Sequence, residues 1–163
     1  MTAKDVILSA MTMGTTVLDK YISDLSDADL MRRPHPGCNH LAWQIGHLIS
    51  SESSLVNMVC PGQGAELPAG FAEAHSRDAV GNDNPASFCS KKQYMDLAQQ
   101  VRAATIAALQ ALPEERLDEP GPERMRSLFP TVAAFFLLIG THPLMHAGQF
   151  VPIRRELGKP VLI

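Results

Sequence analysis

The sequence lacks any cluster of basic residues. Its 14 lysines and arginines are outnumbered by 17 aspartates and glutamates, which gives a formal net charge of -3 at neutral pH. Proteins that bind nucleic acids draw most of their affinity from clustered Lys and Arg side chains. Two arginine pairs, Arg32 with Arg33 and Arg154 with Arg155, are too small to form such a surface. We therefore expect no nucleic-acid partner.

Cysteine is also scarce. The chain has 3 cysteines, an odd number, and no two of them have the CxxC spacing. This favours a protein of the reducing cytoplasm over one held together by disulfides. The N-terminal stretch "MTAKDVILSAMTMGTTVLDK" has no basic leader followed by an unbroken apolar segment, so it does not resemble a signal peptide. We expect a cytoplasmic protein.

Long apolar runs are missing as well. Residues 127–153 contain no charged side chain, yet prolines, threonines, histidines and a glutamine interrupt them. The purely apolar part, "VAAFFLLI", has eight residues, whereas a membrane-spanning helix needs about 20 predominantly apolar ones. This pattern predicts a buried helix and no association with a membrane.

Strand patterns are nearly absent, because alternation of apolar and polar residues never persists beyond four or five positions. Helical patterns instead cover about residues 3–25, 40–60, 90–112 and 131–157. Roughly 30 residues separate the second helix from the third, and a connection of that length in a compact domain is usually functional or mobile. We predict a single all-α domain over residues 1–163, a four-helix bundle with a long crossover connection.

Several local features follow from this assignment. Asn39 is expected to cap the second helix, Ser90 with Gln93 to form a capping box at the third, and Thr131 to cap the fourth. His40 is interpreted as a surface residue where the second helix starts. The inward face of the first helix is expected to consist of Val6, Leu8, Ala10, Met13, Val17, Leu18 and Ile22.

Two histidines lie in the charge-free run, within the stretch "THPLMHAGQF". His142 and His146 are four residues apart, so they project from the same face of a helix and can approach one ion. His47, from the second helix, would add a third nitrogen and leave coordination positions open for water or substrate. Alone, the HxxxH spacing is a weak signal, because buried histidines often only pack and hydrogen-bond in the core. Pro143, between them, is expected to kink the helix or make it restart.

Two segments resemble a known family. "NHLAWQIGHL" at residues 39–48 and "THPLMHAGQF" at residues 141–150 are similar to the second-helix and fourth-helix motifs of the DinB-like proteins, the four-helix bundles related to the YfiT-type and mycothiol-dependent enzymes. The resemblance covers nearly the whole chain. It implies a divalent transition metal (Ni, Zn or Fe) on His47, His142 and His146, with water completing the shell, and a homodimer.

The same resemblance implies two kinds of chemistry. The metal would hold a low-molecular-weight thiol, such as bacillithiol, mycothiol or glutathione, as the thiolate for a transfer reaction. Alternatively, it would activate water for hydrolysis. A non-catalytic protein that binds a metal or a small ligand, with a role in stress, remains the alternative.

Two further polar residues are candidates for the same region. Glu52 falls on the apolar stripe of the second helix, where a carboxylate needs a partner. It would orient a metal-binding histidine, act as a base, or form a structural ion pair. Gln149 is expected either to hydrogen-bond near the site or to pack against the first helix.

Overall fold

A computed structural model of the protein describes residues 1–162. Within them the chain is helical, and the nearest approach to a strand is an isolated antiparallel bridge between Pro120 and Thr131. This confirms the predicted all-α fold. The helices are α1 (Ala3–Ile22), α2 (Asp27–Leu30), α3 (Leu41–Val59), α4 (Phe71–Ala74), α5 (Lys91–Ala111) and α6 (Val132–Glu156), with 3-10 turns at Arg77–Ala79, Pro85–Ser87, Glu114–Asp118 and Glu123–Met125.

The four long helices form the bundle. Helix α6 packs along α1 and also contacts α3, while α5 packs against α3. The connection between α3 and α5 carries α4 and two of the 3-10 turns. Among residues 1–162, no helix combines the length and apolarity needed to cross a membrane. Helix α6 instead lies inside the bundle, with Phe135, Phe150 and Ile153 fully buried.

The caps at α5 and α6 are as predicted, but α3 starts differently. Ser90 and Gln93 form the capping box of α5, and Thr131 caps α6. The N-cap of α3 is His40 rather than Asn39, because the His40 Nδ1 accepts from the Trp43 backbone amide at 3.0 Å. Its Nε2–H donates to the Asn82 carbonyl at 3.1 Å. The prediction of a surface His40 was therefore wrong, since only 1% of the residue is exposed.

The inward face of α1 is rotated from the predicted one. The predicted residues Leu18 and Ile22 are buried, whereas Val6 is 50% and Met13 52% exposed. The buried set of α1 is Ile7, Met11, Gly14, Leu18, Tyr21 and Ile22. The spacing of 7, 11, 14 and 18 is helical, but its third member is a glycine. Gly14 has no side chain, so it did not contribute to the apolar pattern from which the inward face of α1 was predicted. The prediction therefore placed this face one residue too early in the sequence.

Helices α1 and α6 approach each other closely at Gly14. A Cβ atom on Gly14 would overlap the backbone carbonyl oxygen of Gly140, and one on Gly140 would lie 3.1 Å from the Met11 nitrogen. Pro143 lies beside this contact, with its Cδ 3.7 Å from the Cβ position of Gly14. Helix α6 continues through Pro143 from Val132 to Glu156 without restarting. The proline is accommodated because it faces the smallest residue of α1.

Hydrogen bonds and an ion pair connect the C-terminal end of α6 to the C-terminal end of α1. The Arg154 side chain is fully buried and donates to the Tyr21 carbonyl at 2.8 Å and to the Asp24 carboxylate at 2.6 Å. The hydrogen bond from Arg154 lowers the pKa of Asp24 to about 2, so this carboxylate stays charged over the working pH range. A buried guanidinium needs such a partner. Together with the glycine contact, this pair fixes the position of α6.

Candidate metal centre

The structure brings His47, His142 and His146 together. His47 lies on the first half of α3, and His142 and His146 lie one turn apart on α6. Their ring centroids are 5.0 to 5.6 Å apart. One nitrogen from each ring can be chosen so that the three lie within 4.8 Å of one another.

A hydrogen-bonded chain fixes the orientation of His146. Its Nδ1–H donates to the Gln44 Oε1 at 3.0 Å, and the Gln44 amide nitrogen donates in turn to the Asn39 carbonyl at 2.9 Å. The second bond determines which end of the Gln44 amide faces the histidine. With Nδ1 protonated, the lone pair of His146 lies on Nε2, as in metal sites whose ligand is oriented by a hydrogen-bonding neighbour.

His47 is held by stacking rather than by a strong hydrogen bond. Its ring is nearly parallel to that of Trp43, at an interplanar angle of 5° and a centroid distance of 4.9 Å. The Trp43 indole N–H donates to the Ser76 carbonyl at 3.1 Å, which anchors the tryptophan to the connection after α4. Ser51 Oγ lies 3.4 Å from the imidazole nitrogens, at the long limit for a hydrogen bond.

All three imidazoles are neutral at neutral pH. Burial, followed by the charge of His47, lowers the pKa of His142 to about 4. Burial also lowers the pKa of His146 to about 4, with smaller contributions from His142 and His47. The pKa of His47 is lowered by burial and then by the positive charge of Arg77. Neutral imidazoles keep the lone pairs that a metal ion requires.

These shifts predict a pH dependence of stability. Unfolded histidine titrates near 6.5, so between about pH 6.5 and 4 the unfolded chain binds more protons than the folded one. The free energy of unfolding of the metal-free protein should therefore fall as the pH drops through this window. Urea denaturation at several pH values measures this change in the free energy of unfolding.

Burial raises the pKa of Glu52, which affects the pH dependence of stability in the opposite direction. The His142→Gln/His146→Gln protein isolates the histidines and should have a shallower slope; an equal slope would contradict the prediction.

Gln44 is expected to support metal affinity through His146. Replacing Gln44 with methionine keeps the volume but removes the acceptor for Nδ1–H, and loss of such an orienting partner typically costs 10- to 100-fold in metal affinity. Gln44→Glu keeps an acceptor and should retain the affinity. Competition with a chromophoric chelator measures both variants. Equal affinity of Gln44→Met and wild type would exclude the orienting role.

The three nitrogens fit a transition-metal ion. Bonds of about 2.0–2.1 Å to a tetrahedral ion place two imidazole nitrogens about 3.4 Å apart. In the structure the three nitrogens lie up to 4.8 Å apart. Small rotations of the side chains would bring them to the separation that the ion requires. An all-imidazole set suits Zn, Ni or Fe and does not select among them. Because a closed structural site normally has four protein ligands, three leave at least one position free.

The free side faces a cavity of about 520 Å³. Helices α3 and α6, α4 and the 3-10 turns at Arg77–Ala79 and Glu123–Met125 surround it. His47 and His142 line it directly, whereas His146 is not among the lining residues. The volume lies within the range of small-molecule sites. A small molecule can therefore reach the histidine cluster from this side.

Glu52 does not contact the histidines. Its carboxylate pairs with Arg102 at 2.9 Å and accepts from the Thr105 hydroxyl at 2.7 Å. Both residues lie on α5, and the Glu52–Arg102 pair lines a different cavity. The structural ion pair considered for Glu52 is therefore present. A role for Glu52 as base or as an orienter of a ligand stays a prediction, with no contact to a histidine among the described residues.

Sequence reasoning missed the residues that position the cluster. Gln149, considered for this role, is exposed, and Gln44 makes the hydrogen bond instead. His75, which no pattern linked to the site, is buried and lines the cavity. Its Nδ1–H donates to the Phe71 carbonyl and its Nε2 accepts from the Tyr94 hydroxyl, both at 2.7 Å. The one signal in the sequence is Gly46, because a glycine within a helix can indicate that another group packs closely against it. In the structure that group is the His75 ring.

The bundle and the histidine cluster define a class of protein: an all-α helical bundle with an open three-imidazole site facing a small-molecule cavity. The family model of the DinB superfamily matches residues 10–150. The chain belongs to this superfamily, as the two motifs predicted.

Two solved structures share the fold. A DinB-like protein from Bacillus cereus ATCC 10987 superposes with a TM-score of 0.64 at 19% identity, covering 96% of this chain and 95% of that one. YfiT from Bacillus subtilis, described as a probable metal-dependent hydrolase with an unusual four-helix bundle topology, superposes with a TM-score of 0.65 at 16% identity, covering 96% and 89%. No curated protein matches the chain.

Proposed function

We propose that this protein is a divalent-metal-dependent enzyme that hydrolyses a small molecule. The observation that carries the proposal is the convergence of three neutral imidazoles, those of His47, His142 and His146, two of which line an accessible cavity. A divalent ion bound there supplies Lewis acidity and an activated water. The description of YfiT as a probable metal-dependent hydrolase supports the same class of reaction.

The chain's own residues have defined tasks in this proposal. The three imidazoles would hold the ion, while the hydrogen bond to Gln44 keeps the Nε2 lone pair of His146 available. Trp43 fixes the plane of the His47 ring. Ser50, Ser51 and Ser54 line the cavity beside His47 and offer hydroxyl groups to polar atoms of a substrate.

Thiol transfer is the second candidate. The residues lining the cavity include no Asp or Glu, so no carboxylate is in place to act as a general base. A thiol held as the thiolate by a metal needs no such base, and the absence therefore favours thiol chemistry over mechanisms that depend on one. The acceptor would be an electrophilic small molecule in the same cavity.

The test combines metal content with turnover. Protein without an affinity tag is stripped, exposed to nickel, zinc and iron, and assayed by mass spectrometry for bound metal. The loaded and metal-free forms are then compared on panels of esters, amides and phosphoesters, and on bacillithiol, mycothiol and glutathione with an electrophilic acceptor. Failure to hold stoichiometric metal would refute the proposal. Metal without any turnover would leave the non-catalytic binder, with a proposed role in stress, as the function.

A homodimer is also proposed. Large apolar side chains are exposed on and just before α6, with Leu128 at 76% and Leu137 at 42% exposure. A second copy of the chain would cover such side chains. Light scattering coupled to size exclusion measures the mass in solution, and a mass of one chain at all concentrations would exclude the dimer. Cytoplasmic location and the lack of a nucleic-acid partner stay predictions.

A further inference from the structure

Two arginines line the cavity in front of the histidine cluster. Arg77 belongs to the 3-10 turn after α4, and Arg124 to the turn that precedes α6. They come from parts of the chain 47 residues apart in the numbering, and both are exposed. The fold therefore brings both arginines to the same cavity, although they are distant in the sequence.

Neither arginine has an acidic partner among residues 1–162. The one polar contact of Arg124 is a weak one at 3.8 Å to the Met58 sulfur, and Arg77 makes no hydrogen bond or ion pair there. Most other arginines are paired with carboxylates: Arg33 with Asp83 at 2.7 Å, Arg102 with Glu52 at 2.9 Å, Arg116 with Glu119 at 2.9 Å and Arg154 with Asp24 at 2.6 Å. Arg77 and Arg124 differ from these four arginines because they line a cavity without a carboxylate partner.

The cavity is consequently positive. Its lining contains two guanidinium groups, neutral imidazoles and no carboxylate, and a divalent ion would add to the same sign. A concave site lined with one sign of charge concentrates ligands of the opposite sign. By contrast, the cavity beside Glu52 has two acidic residues, Asp19 and Glu52, around Arg102.

The rest of the lining suits a partly apolar molecule. Side chains from α3, α6 and the connection before α6 form an apolar wall: Leu55, Met125, Phe129, Leu138 and Met145. The serines of α3 lie near His47 on the polar side. A ligand that fits must present an apolar body to the wall, an anionic group to the arginines and a reactive group to the histidines.

We propose that the substrate is a small organic acid whose carboxylate is bound by Arg77 and Arg124 while its reactive group lies at the histidine cluster. Guanidinium groups bind carboxylates with paired, charge-assisted hydrogen bonds, which orient the ligand as well as hold it. Positioning of this kind places the reacting bond beside the activated group. This inference rests on the proposed metal-dependent function and adds the class of substrate.

The test uses probes with a metal-directed end. Monohydroxamates of succinic, adipic and suberic acid are titrated by calorimetry into zinc-loaded protein, beside the analogues whose free carboxylate is an amide. At least one acid should bind about tenfold or more tightly than its amide, because a hydrogen bond to a charged group contributes about 1.5–3 kcal/mol. The preference should weaken as the salt concentration rises.

The variants identify the groups responsible. Arg77→Gln and Arg124→Gln should reduce the preference for the acid towards one and leave the affinity for the amide unchanged. Arg155→Gln removes an exposed arginine of α6 that does not line the cavity, so it should keep the wild-type preference. Equal affinities for acid and amide at every chain length, with metal bound, would overturn the inference and leave the proposed function intact. Binding of neither probe to the loaded protein would overturn the open metal site and the inference with it.

Discussion

Replacing His142 with alanine should lower the affinity for a divalent metal by about 100-fold or more. Structural zinc sites with four ligands bind with about 10–16 kcal/mol, or roughly 3 kcal/mol for each ligand, and every 1.4 kcal/mol is a factor of ten. His142 is the ligand candidate with the least support from neighbours, because no hydrogen bond to its ring is recorded among residues 1–162. No side chain beside it is therefore positioned to replace the lost nitrogen.

The measurement is a competition titration of stripped protein against a chelator of known affinity, for zinc and nickel separately. His47→Ala and His146→Ala should fall by similar factors, since each removes one of three ligands. His35→Ala is the matched control: His35 is exposed and its polar contact is with the Pro36 carbonyl, so the affinity should not change. An unchanged thermal midpoint of metal-free His142→Ala would show that the fold is intact. Retention of wild-type affinity in His142→Ala would refute the three-histidine site.

The helices and the histidine cluster were predictable because their signals are local or periodic. His142 and His146 share a helix face by their spacing alone, and the caps Ser90 and Thr131 act within three residues of themselves. Joining His47 to that pair needed the motif resemblance, because no local rule states which helices become neighbours. The contact between α3 and α6 supplies the missing link.

The positioning residues could not be predicted because their partners come from irregular segments. The buried His40 contacts Asn82 and Phe88 of the connection between α3 and α5, and Trp43 is anchored by the carbonyl of Ser76. The paths of these loops depend on tertiary packing and not on sequence period. The face of α1 was misplaced for a related reason, since a glycine contact has no apolar side chain to count.

Replacing Gly14 with alanine should destabilise the metal-free protein by about 3 kcal/mol. The new methyl group would overlap the carbonyl oxygen of Gly140, and a backbone atom cannot move aside as the end of a side chain can. Helices α1 and α6 must therefore separate, and overpacking of this kind typically costs 1–3 kcal/mol and occasionally more. Alanine otherwise favours a helix by about 0.5–1 kcal/mol over glycine, so any loss arises from the contact. Urea denaturation measures it.

Gly148→Ala provides the matched control on α6. No atom lies within 4 Å of its Cβ position, so the same substitution should stabilise the protein by roughly 0.5–1 kcal/mol through helix propensity. The Gly14 contact also bears on the site, since Pro143 lies beside it and immediately follows His142 in α6. Gly14→Ala should therefore weaken metal binding as well as stability, although it removes no ligand, whereas Gly148→Ala should leave the affinity unchanged. If both alanine variants gained stability equally, the close approach of α1 and α6 would not exist in solution. If Gly14→Ala lost stability but kept full metal affinity, the histidines would be positioned by α3 and its loops rather than by the packing of α6 against α1.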